Sequence, residues 1–276
     1  MNRLALIALW AGAASAQTYV RTVASDTEDG TICVTWSVRQ LTYRIDSLGS
    51  ARTPGDTEFT AIQSAWSSWQ RLSNACSDFQ FTRGGDITDG TVGKGTTADN
   101  VFIFREQSCD AVVDPSDPCL AEGTCANLYR CWNHSDATLG LTTVTYSPRT
   151  GVVSDADVEF NAANFLFTTV NAPVCVETEA PDCVAYDVQN VATHEIGHVL
   201  GFSHVSDPTS LMAATAPIGE LSKRVIDEGT SQGFCLTYPI GRPPTPCDAN
   251  APEKVLGESV GSFGVNCANS SVGGAP

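Results

Sequence analysis

Apolar side chains recur at helical spacing in EFTAIQSAWSSWQRL (58–72), where Phe59, Ile62, Trp66 and Trp69 fall on one stripe and Asp56 or Thr57 can cap the start. The short runs LTYRID (41–46) and VFIFR (101–105) on either side read as strands. LGLTTVTYS (139–147) and VVSDADVEF (152–160) flank the turn PRTG and read as a hairpin. In its second arm Asp155, Asp157 and Glu159 alternate with Ala156, Val158 and Phe160, which predicts a half-buried strand with three carboxylates on its wet face. Like charges at two-residue spacing repel unless they are solvated or neutralised. Plain solvation accounts for such a face, and so does a hard cation such as calcium held by oxygen ligands.

The periodicity changes again at DVQNVATHEIGHVL (187–200). Asp187 stands as N-cap, and Val191, Ala192, Ile196, Val199 and Leu200 lie on one arc at about 100° per residue. His194 and His198 fall beside that arc, one helical turn apart, so both imidazoles reach one ion at about 2.0–2.1 Å. Glu195 projects next to them, placed to touch a water on the ion rather than the ion itself. Gly201 tolerates the left-handed conformation with which helices often end, which lets His204 return to the same ion. Three imidazoles with no further protein ligand leave a position open for water, the arrangement of a catalytic zinc. A bare HExxH arises by accident on solvated helices; HExxHxxGxxH followed by Ser210-Leu211-Met212 is far more specific.

The ends of the chain set its context. Arg3, an apolar run over residues 4–14 and Ala14-Ser15-Ala16 read as a signal peptide spanning 1–16, and that run is about half the roughly 20 residues a membrane span requires. A secreted, extracellular protein without a membrane span is therefore expected. A single domain is expected over 17–239, with a Cys-rich insertion near 108–131. The Pro/Gly/Ser-rich stretch 240–276 reads as a tail.

Eleven cysteines in an exported chain imply a disulfide framework with one thiol left over. Cys175 is expected to pair with Cys183, and Cys109, Cys119, Cys125 and Cys131 among themselves. Cys33 is expected to pair with Cys76, the alternative being a thiolate over the metal, and Cys247 is expected to staple the tail to Cys267. The net charge of −16 disfavours nucleic acid and anionic membranes as partners.

HEIGHVLGFSH with Met212 downstream resembles the metzincin metallopeptidases, and the succession of strands and helices around it is most similar to their matrixin branch. The resemblance implies a zincin-like α+β fold: a twisted mixed sheet, an active-site helix and a small C-terminal subdomain that includes a helix near 230–238. It implies that His194, His198 and His204 bind zinc, that Glu195 is the general base, and that Met212 forms the turn beneath the metal. It further implies that the strand from Leu139 to Ser147 is the sheet edge along which a protein or peptide substrate lies, and that AATAPIGEL (213–221) walls the adjoining pocket. Two positions depart from close relatives. Val205 stands where matrixins usually carry serine, and Ala214 where astacin-like and serralysin-like enzymes carry tyrosine. The expected activity is zinc-dependent endopeptidase; the rival is a secreted binding module whose zinc site is not catalytic.

Overall fold

The computed structural model describes residues 19–27, 30–93, 99–176, 180–245, 247 and 260–264. The signal peptide read at 1–16 and Cys267 lie outside the described residues. The principal strands are β1 (Gln40–Ile45), β2 (Gln80–Arg83), β3 (Val101–Phe104), β4 (Thr138–Tyr146), β5 (Val153–Phe160) and β6 (Val260–Gly264). The principal helices are α1 (Thr57–Cys76), α2 (Val188–Val199) and α3 (Glu228–Thr237).

The sheet order is β6-β4-β5-β3-β1-β2. Strand β1 runs parallel to β2 and β3, and β3 runs parallel to β5. β4 is antiparallel to β5, as the hairpin reading expects, and pairs Gly140 with Phe160 through Tyr146 with Val153. This is a twisted, mostly parallel sheet in an α+β fold.

Helix α1 forms where its stripe predicts. Ile62, Trp66 and Trp69 are buried against Tyr43, Phe102 and Ile196 in the main core, and Trp66 stacks on Tyr43 with ring centroids 4.8 Å apart. Its entry differs from expectation: Asp56 is the N-cap but makes no side-chain cap bond, because the preceding 3-10 turn Pro54–Asp56 places it in a left-handed conformation. Trp69 then reaches across the core, and its indole N–H donates to Thr193 O at 3.0 Å. From the other side the Trp36 indole donates to Val199 O at 2.8 Å, and Tyr238 OH donates to Leu200 O at 2.9 Å. The last two bonds satisfy the carbonyls of Val199 and Leu200, which the end of α2 would otherwise leave unpaired in the core. They also fix the position of the helix that carries the histidines.

Five disulfides close the described chain. Cys175–Cys183 forms as expected, and Cys109–Cys131 with Cys119–Cys125 encloses the insertion around three short helices and a small core of its own. The other two pairings correct the sequence reading. Cys76 bonds Cys235, because the end of α1 meets α3. Cys33 bonds Cys247, because the chain after α3 turns back: Thr245 N donates to Thr237 O, and Arg21 holds Thr245 O at 2.8 Å. With its sulfur in a disulfide, Cys33 is not a thiolate over the histidines. No described helix is long and apolar enough to cross a membrane.

Candidate metal centre and cleft

Asp187 caps α2 as its position predicts, accepting from Asn190 N at 2.7 Å. The rest of the helix departs from an amphipathic picture, since every residue from Asn190 to Val199 is buried, including His194, Glu195 and His198. Gly201 ends the helix at φ +89°, and a Cβ there would lie 2.5 Å from Val34 O, so both conformation and space demand glycine. The turn it permits leads into Phe202–Ser203, which pairs with Val20–Arg21, and delivers His204.

The three histidines converge. Nε2 of His194 lies 3.1 Å from that of His198 and 3.3 Å from that of His204, and the last two are 3.1 Å apart. Among the described residues this is the group of His, Cys, Asp and Glu side chains whose ligand atoms approach closely enough to hold a metal. His194 Nδ1 donates to Leu211 O at 2.6 Å and His198 Nδ1 donates to Phe202 O at 2.7 Å. Each of these rings therefore carries its proton on Nδ1 and turns its Nε2 lone pair towards its neighbour. Lone pairs held about 3 Å apart repel unless a cation sits among them. A tetrahedral ion with bonds of about 2.0–2.1 Å places its ligand nitrogens about 3.3 Å apart, so this donor set fits zinc. Burial holds the rings neutral: His198 is lowered to about 4, and His194 and His204 lie well below the usual histidine value.

Glu195 lies on the same helix but does not join the nitrogens. Its Oε2 accepts from Thr142 Oγ1 at 2.6 Å, while Oε1 is buried and has no hydrogen-bond partner among the described residues. Burial raises its pKa to about 8, opposed by the Thr142 bond and by Lys223. Strand β4 passes so close that a Cβ on Gly140 would sit 2.6 Å from Oε1. Glycine here leaves room for a small polar occupant beside the carboxylate.

Met212 lies beneath the helix. A side chain at Gly197 would collide with its sulfur, and Leu211, next to it, supplies the carbonyl that orients His194. Two residues that sequence reasoning missed hold this turn. Asp227 accepts from Ser210 Oγ and Leu211 N, and it also caps α3 by accepting from Thr230 N at 3.0 Å. The spacing Asp227-Glu228-Gly229-Thr230 carries a cap signal, although not the link to Met212. Buried Lys223 donates from Nζ to Ala213 O and Thr215 O at 2.8 and 2.6 Å, pinning the start of the 213–221 loop. Thr142 is the third residue missed, and no local pattern marks it.

The carboxylates on β5 sit elsewhere, and their environment corrects the half-buried expectation. Asp155, Asp157 and Glu159 are each about 2% exposed. Their face is covered by other chain segments. Asp157 accepts from Gly93 N and Val101 N at 2.6 and 2.7 Å, and Glu159 accepts from Arg105 Nε at 2.5 Å, with His134 Nε2 3.4 Å away. Glu159 is thus neutralised by a protein cation. Burial, and then the charge of Asp155, pushes Asp157 up to about 7.

Residues 127–233 match the matrixin family model. The matched span opens in the Cys-rich insertion and runs through the β4–β5 hairpin, the histidine helix and the Met212 turn into α3. That span holds the three converging histidines and the buried glutamate, and through it the chain is similar to the matrixins, a family of zinc metalloendopeptidases.

Proposed function

We propose that the protein is a secreted endopeptidase in which His194, His198 and His204 hold a catalytic zinc and Glu195 is the general base. The catalytic domain would span 17–239, after removal of residues 1–16. The observation that carries this reading is the buried Oε1 of Glu195, without a hydrogen-bond partner among the described residues, on the helix that carries two of the three converging histidines. A stable fold rarely leaves such an atom unsatisfied without a ligand to receive it. When bound, zinc supplies Lewis-acid polarisation of the scissile carbonyl and a water acidified towards neutrality.

The chain's own residues do the rest. Glu195 Oε1 takes the proton of the attacking water and then delivers it to the leaving amine, while the Thr142 hydroxyl holds Oε2 and so fixes the direction in which Oε1 points. The Leu211 and Phe202 carbonyls keep two of the imidazoles in the ligating tautomer. Met212 supports them from below. An extended peptide would add to β4 along 139–147 in place of β6, by main-chain hydrogen bonds, with the pocket beside it walled by the loop that Lys223 pins.

Calcium at Asp155 and Asp157 is a separate structural proposal. It is supported by the placement of Asp157 in a cavity shared with Asp86, Asp89 and Asp99. Glu159 is spoken for by Arg105.

The test of the main reading is hydrolysis of casein by the purified protein with and without a zinc chelator. Cleavage that chelation abolishes and added zinc restores is the expected result. Bound zinc with no turnover on any peptide would favour the binding-module reading instead.

A further inference from the structure

The edge of β4 is occupied by a segment of the chain itself. β6, Val260–Gly264, runs antiparallel to β4 and pairs Val260 with Thr143, Gly261 with Thr142, Ser262 with Leu141 and Phe263 with Gly140, then shifts register to set Gly264 against Thr138. It also lies alongside α2. Thr142 and Gly140 are the two β4 residues against which Glu195 rests, one through its hydroxyl and the other through its missing side chain. The backbone of 261–263 therefore runs alongside the stretch of β4 that meets the glutamate.

We propose that residues 260–264 are an intramolecular competitor for the substrate strand, so that the tail and an extended peptide cannot occupy β4 together. The proposal rests on the protease reading given above. Its physical basis is that an edge strand presents unpaired N–H and C=O groups that any extended segment can satisfy, with main-chain bonds giving affinity largely independent of sequence. Glycines at 261 and 264 suit close backbone approach. The Cys33–Cys247 disulfide ties the tail to the domain 13 residues before Val260, a reach of at most about 47 Å. Such a tether holds the segment near its site at an effective concentration on the order of millimolar. A tail docked about nine-tenths of the time raises the apparent KM about tenfold, because only the undocked fraction can bind substrate, and leaves kcat unchanged.

The test compares the full-length protein with a full-length Gly261→Pro/Ser262→Pro variant, in which the strand loses two N–H donors and cannot form the ladder. Zinc content and thermal stability serve as controls for the fold. Two readouts are taken: kcat and KM on a peptide substrate, and hydrogen exchange of the β4 amides from Gly140 to Thr143. The expected result is a KM several-fold lower in the variant at equal kcat, faster exchange along β4, and competitive inhibition of the variant by a synthetic peptide of residues 256–266. Equal KM and equal β4 protection in the two proteins would overturn the proposal while leaving the protease intact. A chain that cleaves nothing while β4 protection still drops in the variant would overturn the protease reading, and the competition with it, leaving only the strand pairing. A cut within 260–264 that appears in the wild type and not in Glu195→Gln would make the tail a substrate instead and likewise overturn the inhibitory role.

Discussion

Two clusters of buried polar side chains lie on opposite faces of the β4–β5 hairpin, and they accommodate burial in opposite ways. On the helix face, the Nε2 atoms of His194, His198 and His204 point at one another, and Glu195 Oε1 has no hydrogen-bond partner among the described residues. On the other face, Glu159 is met by Arg105 and His134, and Asp157 by two backbone amides. In the second pattern the chain supplies a counter-charge for Glu159 and backbone donors for Asp157. The first pattern is incomplete without a guest. Composition alone would rank the carboxylates as the better cation site, having three formal negative charges against none on the neutral histidines. Geometry reverses that ranking, because it depends on which lone pairs remain unanswered.

Removing Arg105 tests the contrast most severely. Arg105→Ala leaves Glu159 charged and buried, which typically costs about 3–5 kcal/mol, or roughly 6–20 °C in Tm for a domain of this size. Zinc content and kcat of the folded protein should be unchanged, since the hydrogen bonds of Arg105 go to Glu159, Gly90, Ala126 and Asn127 and not to the histidine helix. A thermal melt alongside zinc analysis checks this. Loss of zinc at temperatures where the variant is still folded would show that the two faces are not independent.

A smaller effect concerns pH and calcium. The unfolded chain releases the Asp157 proton near the ordinary value of 3.8, whereas the folded chain keeps it until about 7. The folded state therefore binds more protons across that window, so this group's stabilising contribution is full below pH 4 and is lost as pH rises through 7. Asp157→Asn should flatten the fall in Tm between pH 5 and 8 relative to wild type, with the histidine contributions cancelling in the comparison. Millimolar calcium should raise the wild-type Tm at pH 8 and leave that of the variant unmoved. Parallel pH curves for the two proteins would remove the assignment of this slope to Asp157. A wild-type Tm insensitive to calcium would remove the calcium site.

Much of the molecule was legible because its signals are local. The stripe on α1, the hairpin, the Asp187 cap, the helical spacing of His194 and His198, and the stop at Gly201 all reside within a turn or two of chain. What escaped depends on contacts between distant segments. Thr142 meets Glu195 across 53 positions, and Arg105 meets Glu159 across 54. Asp227 braces the Met212 turn from the start of α3, and Cys33 finds Cys247 rather than Cys76. Alternation along β5 correctly gave two faces but could not say what would cover the acidic one. A strand's own sequence does not specify its neighbours.

The central claim is that the site holds zinc with three histidines and uses Glu195 only to move protons. It is tested most directly by measuring zinc stoichiometry and peptide turnover together on wild type, Glu195→Gln and His198→Ala. Glu195→Gln keeps the size and loses the base, so it should retain full zinc and lose on the order of 10²- to 10⁴-fold in kcat. His198→Ala should lose zinc and turnover together. Full zinc with near wild-type turnover in Glu195→Gln would contradict the account.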